Sequence, residues 1–385
     1  MKIGLVVPHF YPAYGGHEYY LSRELAHLGH QVGVFTSDFM PVRYFRRPTR
    51  TFPGKELTGD GVEVTRIRAA IDVQGLPVFD PRGALAGFGP RVVQGTEFYH
   101  PSSYLSFVAS AKKGVPFVFA QHMYEVPKGA KGLAWKGLSF TLGSQMRRGS
   151  SRIIAISNAA KSLLVSLGVP EERIAVIPLG VDTSFFRTAD AGPGLREQLG
   201  LEDSTVVLFV GRMEDVKGVD VLLEAFSLLR KNDDSLCLVL VGGGAQKPRY
   251  EALASHLGIT SGVRFVGSVT REALPSYLDV ADIFVLPSLK EPFGLVGLEA
   301  MAKGKPVVAS AVGGIPDFVG AETGLLVRPG SARGLASALE RLAADPSLRA
   351  RLGEGGRKLV DERFSYRHVA ERTVEVFEEA GAGAR

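Results

Sequence analysis

Cysteine is almost missing: the 385 residues contain one, Cys237. A single thiol cannot close a disulfide within the chain, and its apolar surroundings, LCLVLV, mark it as a small buried hydrophobe. A disulfide-stapled secreted domain is excluded and a reducing compartment is expected. Long apolar runs are missing too, and none approaches the roughly 20 residues that span a bilayer. The chain opens directly on an apolar stretch at residues 3–7. It is therefore expected to carry no signal peptide and to be cytoplasmic. There is no nucleic-acid-binding motif, and basic residues are not gathered into one helix or tail, which argues against nucleic acid as a partner. No internal repeat of solenoid length is visible.

What is present is the composition of a globular protein, with 45% hydrophobic and 22% charged residues. The length suits two domains. Strands and helices alternate from end to end, the pattern of α/β domains built on parallel sheets. Strands are expected at 3–7, 32–35, 62–67, 92–94, 115–120, 153–156 and 173–177. A second series is expected at 206–210, 236–241, 263–266, 283–286, 307–309 and 323–327. Between the two series, residues 178–194 lose regular periodicity and mark the connection between domains. Charge divides similarly: the net +5 combines +9 over residues 1–175 with −4 over the remainder. The first half thus suits an anionic surface or ligand. Two acid-free basic segments contribute, 39–55 and 128–152. The first reads as a flexible surface loop, or as a contact with an acceptor or membrane surface through Tyr44, Phe45, Arg46 and Arg47. The second reads as a core-packed helix around Trp135, or as a further contact of that kind.

Glycine-rich loops follow several strands. Gly15-Gly16 precede a helix carrying Leu21, Leu25 and Leu28. Such a loop lets backbone N–H groups approach a phosphate, although a Gly-Gly pair is also an ordinary turn. The spacing is not GxGxxG, so a dinucleotide is not expected. His122 stands just past the strand at 115–120, where α/β folds place ligands; a lone histidine there is also commonly structural. Arg212 and Lys217 flank a later strand-to-helix turn as exposed loop cations that would suit a diphosphate. The densest stretch is PSLKEPFGLVGLEAMA, beginning at Pro287. Glu291 and Glu299 bracket Phe293 and Gly294 in it, and Leu295, Leu298 and Met301 recur at helical spacing. Gly294 and Leu295 fall in the first turn, where N–H groups lack partners, and Glu299 about two turns in. Two carboxylates beside free amides suit a ligand rich in hydroxyls that also carries a phosphate, as a nucleotide-sugar does.

In order, GGHEYYLSRELAHLGHQVGVFT, ISNAAKSLL, IPLGVDTSFF, FVGRMEDVKGVDVLLEAF, VRFVGSV and EPFGLVGLEAMAKGKPVVASAVGGIPD span nearly the whole chain. Through them it resembles the retaining glycosyltransferases of family 4, the glycosyl transferases group 1. The resemblance implies an α/β, GT-B fold, with two Rossmann-like domains whose parallel sheets face across a cleft. It implies an N-terminal acceptor-binding domain over 1–177 and a nucleotide-sugar domain over 178–364, with a last helix from about 365 crossing back. Arg212 and Lys217 would hold the donor diphosphate, Glu299 the ribose and Glu291 the donor sugar. Amides around Phe293, Gly294 and Leu295 would touch sugar and phosphate, Gly15 and Gly16 the phosphate, and Val266, Gly267 and Ser268 would frame the base. His122 would face the sugar at the reaction centre. Gly243 lies in a loop that often reads G-x-G-P in the family; here it reads Gly242-Gly243-Gly244-Ala245.

The implied reaction moves a sugar from a UDP- or GDP-linked donor to a hydroxyl on a sugar, lipid or small molecule, with retention. Retention by double displacement needs a carboxylate nucleophile beneath the sugar. Family sites lack one, so the leaving phosphate itself takes the acceptor's proton. Two cations at the diphosphate and the absence of a tight Asp-x-Asp lead to an expectation of no metal, and no cofactor beyond the donor substrate. An anionic membrane, met peripherally from the cytoplasmic side, is the further partner that the charge split favours. Two alternatives stay open. An epimerase of the same fold would need further acid–base carboxylates at the sugar. Against a non-catalytic nucleotide-sugar binding protein stands the full set of Arg212, Lys217, Glu291, Glu299 and His122.

Overall fold

The computed structural model describes residues 1–12, 15–40, 49–73, 76–188, 194–231 and 233–383. The chain divides into two compact units: Met1–Gly180 with Tyr366–Arg385, and Val181–Ser365.

Unit 1 carries strands β1 (Lys2–Val6), β2 (Gln31–Ser37), β3 (Phe39–Met40), β4 (Thr49–Arg50), β5 (Gly54–Leu57) and β6 (Glu63–Ile67). It continues with β7 (Ile71–Val73), β8 (Leu76–Val78), β9 (Val92–Thr96), β10 (Phe117–Gln121), β11 (Arg152–Ala155) and β12 (Ile174–Val176). Eight of these form one sheet in the order β12-β11-β10-β9-β1-β2-β6-β5. All neighbours are parallel except β5, which runs antiparallel to β6 and departs from the expected all-parallel pattern. Its sequence, GKEL, is exposed throughout and has no apolar alternation to announce it. The helix Tyr366–Ala382 belongs to this unit because Val369, Ala370, Val376, Phe377 and Ala380, at helical spacing, join its core. It packs on the helix His17–His27 and on β9, β10 and β11.

The two basic segments diverge. Tyr44, Phe45, Arg46 and Arg47 lie outside the described residues. Residues 129–149 form a helical stretch, Gly129–Leu138, Ser139–Gly143 and Ser144–Gly149. Trp135 and Met146 are buried in it, but Leu133 and Phe140 are 75% and 83% exposed, so a purely core-packed helix is the wrong description.

Unit 2 carries β13 (Thr205–Val210), β14 (Leu236–Val241), β15 (Val263–Gly267), β16 (Ile283–Leu286), β17 (Val307–Ser310) and β18 (Gly324–Val327). They form one parallel sheet, β15-β14-β13-β16-β17-β18. Strands such as LCLVLV are buried along their whole length, as a parallel sheet covered on both faces requires. The helix Val219–Arg230 buries Val219, Leu222, Leu223, Phe226 and Leu229, one continuous stripe, in the same core. Numbered within the unit, the strand order is 3-2-1-4-5-6, the doubly wound arrangement. Its direction of winding reverses between β13 and β16, and ligands bind beyond the strand ends at such a point.

Candidate active site

The loops that leave β13 and β16 stand at that point, and both hold expected site residues. They are joined by backbone hydrogen bonds: Leu289 and Lys290 N–H donate to the Val216 carbonyl at 2.9 and 3.2 Å. Across the join, Lys217 Nζ lies 2.6 Å from Glu291 Oε2, to which Ser288 Oγ also donates at 3.2 Å. Lys217 and Glu291 keep only 18% and 10% of their side chains exposed. Lys217 is thus not the exposed loop cation expected. Desolvation is tolerable because its partner is a carboxylate at contact distance. Arg212 fits the exposed description, with 67% exposure and an ion pair to Glu214 at 2.5 Å.

Glu291 is held from behind as well. Gly313 has φ of 54°, and a Cβ there would stand 1.6 Å from the Glu291 carbonyl oxygen. Only glycine allows that approach. Phe293 is buried against Phe318 and Phe364, with ring centroids 5.7 and 6.3 Å away. Gly294, φ 94°, opens the helix Leu295–Ala302. A side chain at Gly294 would press within 2.9 Å of Leu286 and 3.2 Å of Ile315, so this glycine has a packing reason alongside any contact with ligand. Glu299 sits little more than one turn into the helix, not two, and is buried. Burial pushes its carboxyl up to about 7, against an opposing pull from Arg271, a residue absent from the sequence-based site.

The residues expected to frame a base lie beside the first of these loops. The Gly243 carbonyl accepts from Met213 N–H at 2.8 Å, and Gly242 N–H donates to Gly267 O at 2.7 Å. The Gly243 backbone lies against Ser268 Oγ, 2.6 Å from where a Cβ would stand. Gly243, Gly267 and Ser268 are therefore neighbours at the ends of β14 and β15, and Val266 precedes them on β15.

Unit 1 is wound the same way, reversing between β1 and β9. Gly15 and Gly16 follow β1 with φ of 66° and 115°, and Gly16 caps the helix His17–His27. His122 follows β10. Its ring stands edge-on to that of His17, centroids 6.1 Å apart, so the glycine loop and the histidine are near neighbours. Burial works to lower the His122 pKa, but Glu97 and Glu18 outweigh it and hold the imidazole above its ordinary value. His17, buried beside it, is pushed down to about 4 and is neutral. Glu97 is a residue that sequence reasoning missed; its only signal is a charge immediately after a buried strand. Among the described residues no His/Cys/Asp/Glu group is arranged to hold a metal ion.

Residues 16–185 match the family model for glycosyltransferase family 4, and residues 194–359 that for glycosyl transferases group 1. D-inositol 3-phosphate glycosyltransferases of Streptomyces bingchenggensis and a Nocardioides species are each 32% identical, over 95% of this chain and 84% of theirs. Sucrose-phosphate synthase from Thermosynechococcus elongatus superposes with a TM-score of 0.78 at 26% identity, covering 99% of both chains. Anabaena HepE, solved with UDP, has a TM-score of 0.76 at 21% identity, covering 98% of this chain and 100% of its own, a likeness of fold. The family match runs through both units, and the chain belongs to glycosyltransferase family 4, with its GT-B fold.

Proposed function

We propose that this glycosyltransferase takes a sugar from a UDP- or GDP-linked donor and places it, with retention, on a hydroxyl of a polyol acceptor. The observation that carries the reading is the Lys217–Glu291 pair, a nearly buried cation and carboxylate beyond the ends of β13 and β16. A diphosphate drawn to Lys217 meets a positive charge already stripped of water, where it acts more strongly than in solution. Hydroxyls of the donor sugar replace the ammonium as donors to Glu291. Arg212, exposed at the surface, closes on the same phosphates. Glu299 accepts from the ribose hydroxyls, and Gly243, Val266, Gly267 and Ser268 border the base. The family resemblance assigns His122, Gly15 and Gly16 to the sugar and phosphate.

In the transfer, the bond from the anomeric carbon to the diphosphate oxygen breaks and its electron pair stays on that oxygen. The acceptor oxygen bonds to the same face of the carbon, and its proton passes to the departing phosphate. The products are a nucleoside diphosphate and a glycoside. Lys217, Arg212 and the amides before the helix Leu295–Ala302 stabilise the charge on the leaving group, so the scheme calls on neither metal nor cofactor.

The relatives named for D-inositol 3-phosphate favour a phosphorylated polyol as acceptor, which suits the +9 of residues 1–175. The exposed Leu133 and Phe140, beside exposed Lys128 and Lys136 in an acid-free stretch, favour an anionic membrane surface as the place where it is met. No helix of the described residues is long and apolar enough to cross a membrane, so the association would be peripheral.

The test is incubation with UDP- and GDP-sugars and either free D-inositol 3-phosphate or a polyprenyl-phosphate-linked sugar in anionic vesicles, with the product's anomeric configuration read by NMR. Donor at a hundred times its Kd should raise stability by about 2.7 kcal/mol. Inverted product refutes retention. Efficient transfer in solution without vesicle binding at low salt refutes the membrane. No stabilisation and no transfer with any donor refutes the whole.

A further inference from the structure

Glu97 is the one non-glycine residue with a positive φ, 59°, among the described residues. It follows β9 directly and so stands at the reversal point of the unit 1 sheet. A left-handed backbone is costly at a glutamate, and it persists where surrounding contacts impose it. Here Glu97 N–H donates to Ala120 O at 2.8 Å and its carbonyl accepts from His100 N–H at 3.3 Å. Its side chain then reaches the turn after β10. Oε1 accepts from the backbone N–H groups of His122 and Met123 at 2.9 and 3.1 Å and lies 3.6 Å from His122 Nδ1. No hydrogen bond among the described residues engages His122 Nε2. Glu97 Oε2 is buried and has no hydrogen-bond partner among them either. A buried carboxylate oxygen without a donor is expensive and rare.

We propose that Glu97 is a positioning residue: it fixes the turn at His122, ties Nδ1 to the protein so that Nε2 meets the substrate, and offers Oε2 to a substrate hydroxyl. This rests on the glycosyl-transfer reading above. The other titratable groups near the His122 ring are His17 and Glu18 at the start of the helix His17–His27. Tyr366 packs on His17, centroids 5.8 Å apart. Of these, only Glu97 bonds the backbone of His122 and also faces its ring.

The experiment compares Glu97→Gln and Glu97→Asp with the wild type. Glutamine keeps an oxygen for the two amides and removes the charge. Its Tm should stay within about 2 °C of the wild type. The midpoint of the His122 ring titration, followed by NMR with His122→Asn for assignment, should fall by about 0.5 in pH or more. Nucleotide release from UDP-glucose or GDP-mannose, with D-inositol 3-phosphate present as acceptor, should fall about tenfold or more. Glu97→Asp, with its charge on a shorter arm, should recover part of the midpoint. A wild-type midpoint or wild-type turnover in Glu97→Gln overturns the proposal. If that variant does not fold, Glu97→Asp decides: a lowered midpoint with lowered turnover supports the proposal, and wild-type values overturn it. Failure of the wild type to release any nucleotide counts against glycosyl transfer, while the titration still judges the tie between Glu97 and His122.

Discussion

At the scale of single residues, the two cations of the loop after β13 separate into different kinds. Arg212 is exposed and, among the described residues, its side chain is bonded only to the Glu214 carboxylate, so Arg212→Ala should change stability by no more than about 0.5 kcal/mol. Lys217→Ala leaves Glu291 nearly buried without its cation and should cost about 1–3 kcal/mol. Both should weaken nucleoside-diphosphate binding about tenfold or more, measured by calorimetry. Wild-type affinity in either would remove it from the donor site. Glu299 brings a pH dependence. Its carboxyl titrates near 7 in the folded chain against an ordinary value of 4.5. A raised pKa means that the fold favours the protonated form, so this contribution to stability is whole below about 4.5 and is lost as pH rises through about 7. Glu299→Gln should therefore melt above the wild type at pH 8 and close to it at pH 4.5, while binding nucleotide more weakly. A variant that melts lower at both pH values would show that the carboxylate stabilises the fold.

At the scale of elements, the site is made by backbones that touch. Gly313→Ala would drive a methyl into the Glu291 carbonyl, and relief would require the Glu291 loop to move. Such a shift of about 1 Å should cut turnover on the order of a hundredfold, with a stability loss of about 1–3 kcal/mol. Normal kinetics in that variant would mean that the loop's placement is irrelevant to transfer. These elements differ in how far the sequence discloses them. The run LCLVLV declares a strand because both its faces are buried. Leu295, Leu298 and Met301 declare a helix by their period, and the Glu-to-Glu stretch around them carried the family resemblance. The pairing of Lys217 with Glu291 is another matter, since it depends on β13 and β16 being neighbours, which follows from strand order. Glu97 was hidden more completely. A left-handed glutamate has no compositional mark, and its partners His122 and Met123 lie on the next strand's loop. β5 escaped because an exposed edge strand needs no apolar residues.

At the scale of the whole molecule, the proposed neutralisation of the leaving group by Lys217, Arg212 and helix amides sets an expectation for the reaction. Turnover should survive excess EDTA, and complete loss that magnesium or manganese restores would refute it. Unit 1 makes a second demand. Its core is incomplete without Val369, Val376 and Phe377, each worth about 1.5–3 kcal/mol of burial, against a total margin of about 5–15 kcal/mol for a domain. A chain ending at Ser365 should therefore keep a folded unit 2 and lose unit 1, visible as protease-resistant and protease-sensitive halves. Resistance of both would show that the helix Tyr366–Ala382 is dispensable. The interruption of unit 1 by unit 2 also puts a clock on biosynthesis. At about 5–20 residues per second, the ribosome spends on the order of ten to forty seconds on residues 181–365 before the closing helix is made. Through that interval the nascent first sheet stands with its apolar surface over β9, β10 and β11 awaiting the closing helix, while the second domain, continuous in sequence, is already free to fold. The half that begins first is thus finished last, and during the wait its open face is a target for chaperones.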